Sequence, residues 1–183
     1  MKILNRTEAM VNLANLAHNF NEIKRYTDGA DIITVVKADA YGHGSVAVAR
    51  LFEKLGAAIL AVACLDEALE LRTNGISAPI MILGATPVHF VPILSKHNII
   101  QSVHSVDYAK ELASAASALG RTVMVHIKLD TGMSRIGFMC QDFPRDDASL
   151  DEIEKVCALT NLNPCGIMAH FAVSDEGEEG REY

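Results

Sequence analysis

Asp31-Ile32-Ile33-Thr34-Val35-Val36-Lys37-Ala38-Asp39-Ala40-Tyr41-Gly42-His43-Gly44 is the stretch on which the fold turns. Ile32 to Val36 is β-branched and apolar on both faces, the pattern of a strand buried in a parallel sheet. It ends on Lys37, and a turn with two glycines then opens a helix. A cation at the end of a buried strand is costly unless it reaches water or is put to use. Two readings therefore stand for Lys37. It snorkels to the mouth of the strand, or it is a desolvated, partly deprotonated amine able to form a Schiff base.

Outward from this stretch, strand and helix alternate. Upstream, Glu8 to Leu13 reads as a short strand, followed by a helix with Leu16, Phe20 and Ile23 at helical spacing. Downstream, a helix from Ser45 to Leu55 buries Val48, Leu51, Phe52 and Leu55 and stops at Gly56. Strands are expected at Ala58–Leu65, Pro79–Ala85, Ile99–Val103, Arg121–Asp130 and Gly166–Phe171. Between them lie helices capped by Asp66, spanning Val88–Lys96, carrying Tyr108, Leu112, Ala115 and Leu119, and opened by a Ser149–Glu152 capping box before Leu150, Ile153 and Val156. The short connections suit parallel βα units. A doubly wound sheet and most of a (β/α)8 TIM-type barrel both fit. Tyr41-Gly42-His43-Gly44 is neither a dinucleotide fingerprint nor a Walker loop.

At 183 residues the chain can hold one substantial core, and its formal charge is −7. That balance argues against nucleic acid as a partner. Ser174–Tyr183 carries five acids and one arginine, leaving 15 bases against 18 acids elsewhere. The longest apolar run, Ala57 to Leu65, is too short to cross a bilayer, so no membrane role is expected. No signal peptide is read at the N-terminus, and a cytoplasmic protein is expected. Cys64, Cys140, Cys157 and Cys165 form no CxxC pair and suit no zinc site, so no metal is expected.

Strand alternation places Lys37 on one face with Val35 and Ile33. His126, Lys128 and Asp130 share a face of the longest strand, and His170 accompanies Met168 on the last. Each could be a satisfied buried group, but several ionisable residues at strand ends match the active end of a βα barrel. Asp130-Thr131-Gly132-Met133-Ser134-Arg135-Ile136-Gly137 adds a guanidinium between glycines, suited either to an anionic ligand or to a capped turn.

Val35 to Gly44 closely resembles the pyridoxal-phosphate lysine motif of bacterial alanine racemases. Lys128 to Gly137 resembles that family's second signature and Met168 to Glu176 its third. Asp66-Glu67-Ala68 and Ile82-Leu83-Gly84 also fall where the family has such residues. The resemblance implies residues 1–183 as one partial barrel domain, the N-terminal part of a (β/α)8 barrel with about six of eight parallel strands. Strand 8–13 would belong with a later β domain. It implies pyridoxal 5'-phosphate bound as an aldimine on Lys37, which would also be one of two racemising bases. Tyr41 would contact the cofactor phosphate, Arg135 the phenolic oxygen, and Leu83 the ring. His170 would lie beneath the cofactor, and Lys128 is similar to a lysine carbamylated in some members. The implied activity is interconversion of L- and D-alanine by a homodimer, the second base being a tyrosine of the partner subunit. None of Tyr26, Tyr41, Tyr108 and Tyr183 suits that role. The chain is therefore expected to end in or just after a sixth βα unit, and to be marginally stable or associate when alone. The alternatives are a single-barrel pyridoxal-phosphate carrier without racemase activity, or a racemase for serine or another amino acid.

Overall fold

The computed structural model describes residues 7–141 and 146–177. Six parallel strands form its main sheet in the order β1 (Ile33–Val35), β2 (Ile59–Val62), β3 (Ile80–Ile82), β4 (Ile99–Val103), β5 (Val123–Asp130) and β7 (Leu162–Met168). A two-residue strand, β6 (Phe138–Met139), pairs with the end of β5. Each strand lies beside its predecessor, with no reversal of order. This is barrel topology and excludes the doubly wound sheet.

The helices are α1 (Leu13–Tyr26), α3 (Ser45–Leu55), α4 (Leu65–Thr73), α5 (Val91–Lys96), α6 (Val106–Ala118) and α7 (Asp147–Cys157); α2 denotes the turn Lys37–Gly42. The larger core lies between helices and sheet, where Leu60, Val62, Ile80, Ile82, Ile99, Val103, Val125 and Ile127 meet Phe20, Val48, Leu71, Leu94, Leu112 and Val156. The alternate strand residues form a second, smaller cluster: Ala61, Met81 and Ile100, with Ile59, Leu83, Met124 and Met168 against them. These line the concave face of the sheet, the barrel interior.

Five expectations are corrected. No strand forms at residues 8–13. Asn12 instead caps α1 by accepting from the Ala14 and Asn15 N–H groups, and an N-capped helix start is incompatible with an extended Leu13. Asp66 lies inside the first turn of α4, behind Cys64 at the cap position. Asp146 caps α7 by accepting from Ser149 N–H, while the Ser149 hydroxyl donates to Met139 C=O. Ile23, Leu119 and Leu150 also fall outside the buried stripes expected of them. The last strand begins at Leu162 and ends at Met168, four residues earlier at its start than expected. The end of the acidic tail, residues 178–183, and loop residues 142–145 lie outside the described residues.

The end of the sheet away from Lys37 is tied by two charged side chains. Arg72 donates to four carbonyls, of His97, Ile76, Ala78 and Asn98. Glu53 accepts from the Ser77 N–H and hydroxyl and from Ala78 N–H at 2.6–2.7 Å. Those bonds pull its carboxyl below the usual range, the Ser77 hydroxyl contributing most.

Candidate active site

Lys37 follows β1 and is half-buried. After it the backbone turns left-handed: Ala38, Asp39, Ala40 and Tyr41 have φ of 51–56°, and Gly42 and Gly44 have φ of 84° and 90°. Each such non-glycine residue costs about 1–2 kcal/mol against a right-handed turn, so other bonds must hold the segment. Ala40 N–H donates to Val36 C=O at 3.0 Å and Gly44 N–H to Asp39 C=O at 3.0 Å. Asp39 accepts from Ser45 N–H at 2.6 Å, joining the turn to the start of α3. Glu67, from α4, accepts from Ala38 N–H at 2.8 Å and from Ala63 N–H at 2.7 Å. The outcome is that residues four apart meet: Lys37 Nζ lies 6.0 Å from the centre of the Tyr41 ring.

Across the concave face, β5 directs His126, Lys128 and Asp130 inward. All three are more than nine-tenths buried. Burial pushes the Lys128 amine down, Asp130 opposes this, and Arg135 adds to it. Burial also pushes His126 down, and its Nδ1 has no partner among the described residues. Gly166 of β7 sits against this ring. A Cβ there would fall 2.3 Å from His126 Cε1.

The loop after β5 is folded around Asp130. Its carboxylate accepts from the N–H groups of Gly132, Ser134 and Arg135 at 2.9–3.1 Å, which holds its pKa down, Ser134 contributing most. Gly137 lets the chain return over β5: a Cβ there would lie 2.7 Å from Asp130 N and Leu129 C. Arg135 is thereby carried, exposed, above the strand end and within electrostatic reach of Lys128.

Leu83 extends β3 and packs into the interior cluster. His170 lies two residues past β7 rather than on it, is exposed, and makes no hydrogen bond or ion pair among the described residues. Lys37 with Tyr41, and Lys128 with Asp130 and Arg135, are thus brought together, while His170 stands apart. His104 went unread in the sequence. It follows Ile100 and Ser102 at two-residue spacing, stacks on Tyr108 at 5.0 Å, and its buried Nδ1 has no partner among the described residues. That spacing at the end of β4 was the available signal.

Fold and site together define the lysine-bearing part of a parallel βα barrel, with its ionisable groups at the C-terminal strand ends. The family model described as alanine racemase, N-terminal domain, matches residues 11–183. The alanine racemase of Clostridium tetani is 46% identical over 171 residues, covering 93% of this chain and 43% of that protein. The structure of alanine racemase from Clostridium difficile 630 in complex with cycloserine superposes with a TM-score of 0.84 at 41% identity, covering 93% of this chain and 46% of that one. A histidine racemase from Leuconostoc mesenteroides superposes with a TM-score of 0.78 at 32% identity, covering 87% and 42%. The chain belongs to the alanine racemase N-terminal domain family. It spans less than half the length of the relatives it matches.

Proposed function

We propose that this chain is the cofactor-binding barrel of a racemase that interconverts L- and D-alanine, with Lys37 as the reacting amine. The observation that carries this reading is the pairing of Lys37 with Tyr41 by a strained turn at the mouth of β1. The donor set fits pyridoxal 5'-phosphate: an amine for its carbonyl, the Tyr41 hydroxyl for its phosphate, and the Arg135 guanidinium for its phenolic oxygen. Leu83 supplies an apolar contact for the ring, and His170 would close from below. Thr131 Oγ1, His104 Nδ1 and His126 Nδ1 are buried polar atoms at this end of the sheet that lack partners among the described residues.

When bound, the cofactor supplies the electron sink that makes a Cα proton removable. Lys37 moves that proton on one face of the amino acid. Burial pushes the Lys128 amine down, toward the neutral form that adds carbon dioxide, and the resulting carbamate would orient Arg135. The opposite face needs a second acid/base. Tyr26 is exposed on α1, Tyr108 is bonded to both the N–H and C=O of Thr86, and Tyr183 lies outside the described residues. We assign that base to a partner subunit of a cytoplasmic homodimer. Among the described residues no helix is long and apolar enough to cross a membrane.

The likeness to a histidine racemase supports a second substrate reading, another amino acid on the same barrel. The carrier reading has less support, because the relatives matched are racemases. Incubation with pyridoxal phosphate, borohydride reduction and peptide mapping tests the assignment. Label is expected on Lys37 and lost in Lys37→Ala; label confined to other lysines would overturn it.

A further inference from the structure

The geometry points to Glu67 as a positioning residue for the Lys37–Tyr41 pair. This rests on the reading of Lys37 as the reacting amine. In the register of β1 and β2, Val36 N–H donates to Ala61 C=O at 2.8 Å. Continued by one rung, a parallel ladder would bond Ala63 N–H to Val36 C=O and Ala38 N–H to Ala63 C=O. Neither bond exists, because the left-handed turn bends β1 away at that point. Val36 C=O is taken by Ala40 N–H and Ala63 C=O by Gly84 N–H. Two backbone donors are left over: that of Ala63 is partly buried and costly to leave unpaired, and that of Ala38, on an exposed residue, would otherwise turn to water. One carboxylate serves both: Glu67 Oε1 accepts from Ala38 at 2.8 Å and Oε2 from Ala63 at 2.7 Å.

Glu67 thus replaces the broken rung. Ala38 is the first left-handed residue and directly follows Lys37, so a bond at its N–H fixes the peptide from which the Lys37 side chain departs. The remaining bonds of the turn run to residues 36–45 and travel with it. The Glu67 bond reaches it from α4, 29 residues on. Without it the turn can rotate about its own ends, and the amine and the Tyr41 ring lose their common direction.

The comparison variant is Glu53→Ala. It removes three bonds from the other end of the sheet and leaves Lys37 untouched. Amide hydrogen exchange, thermal melting, and the rate of borohydride-trapped pyridoxal phosphate attachment at Lys37 are measured on the folded chain. Glu67→Ala and Glu67→Gln are expected to deprotect the Ala38 amide selectively, Gln retaining one acceptor and the smaller effect. Glu67→Ala is expected to slow trapping by about tenfold to a hundredfold, the scale of an ångström-level misplacement. Glu53→Ala is expected to lower the melting temperature with trapping unchanged. Equal trapping in Glu67→Ala and wild type, or equal slowing in Glu53→Ala, would overturn the assignment. If the wild type traps nothing at Lys37, the cofactor reading fails. The exchange data then judge the clamp alone, and an Ala38 amide equally protected in wild type and Glu67→Ala overturns it.

Discussion

At the scale of single residues, the informative contrast is between two lysines at strand ends. Lys37 is half-buried and shares space with an exposed tyrosine, whereas Lys128 is almost wholly buried, its ammonium donating to Leu129 C=O. Alternation in the sequence placed both on the inward face, since a strand has only two faces to choose from. It said nothing of depth, which depends on how Gly137 and the Asp130-centred loop fold back over β5. Depth has a measurable consequence. Burial lowers the Lys128 pKa from its ordinary 10.5, so between the folded value and 10.5 the unfolded chain holds more protons. Stability therefore rises with pH across that window, and the full penalty of the buried cation is present below it. In urea melts from neutral to alkaline pH in carbonate-free buffer, the wild type is expected to gain on Lys128→Met as pH rises. Parallel pH curves for the two proteins would contradict this.

At the scale of elements, β1 was legible because a β-branched run needs no outside help to read as a strand. The left-handed turn after it was not. Ala38, Asp39, Ala40 and Tyr41 have no local reason to take positive φ, and the bonds that impose it come from Ser45 and Glu67. The last strand was misplaced for a similar reason. Gly166 reads as the residue that opens a strand, yet it lies within β7, just past an irregularity in the β5–β7 register, because the ring of His126 occupies the space of its side chain. Gly166→Ala should therefore destabilise the chain by about 1–3 kcal/mol, as overpacking does. In a His126→Ala background the same change should cost at least about 1 kcal/mol less, the coupling expected of residues in contact. Denaturant melts of the four proteins measure that cycle, and additive losses would rule the steric account out.

At the scale of the whole molecule, the alternation of strand and helix was legible in the sequence, but the order of the strands was not: alternation fits a doubly wound sheet as well as a barrel, and the barrel was implied by the family resemblance. What the pattern could not carry is which apolar residues are covered. Ile33 and Val35 look like any buried strand pair, but in the structure they are 41% and 43% exposed, on the inward face of a strand whose outer edge is unpaired among the described residues. The outer edge of β7 is unpaired in the same sense. Ile167 on its outward face is 56% exposed, with Phe171 nearby at 70%. Thr34 and Val36, on the opposite face of β1, are buried beneath the helices, so the sheet is finished on one side only. A parallel sheet is normally covered on both faces, and an unpaired apolar edge recruits another chain. The 183-residue chain in isolation is therefore expected to self-associate with rising concentration in sedimentation velocity runs and to bind an apolar dye. Val35→Lys places a charge at the edge of β1 and should move the distribution toward monomer without loss of helical signal. A wild type that sediments as one concentration-independent monomer with no dye binding would show that the two edges are closed in solution.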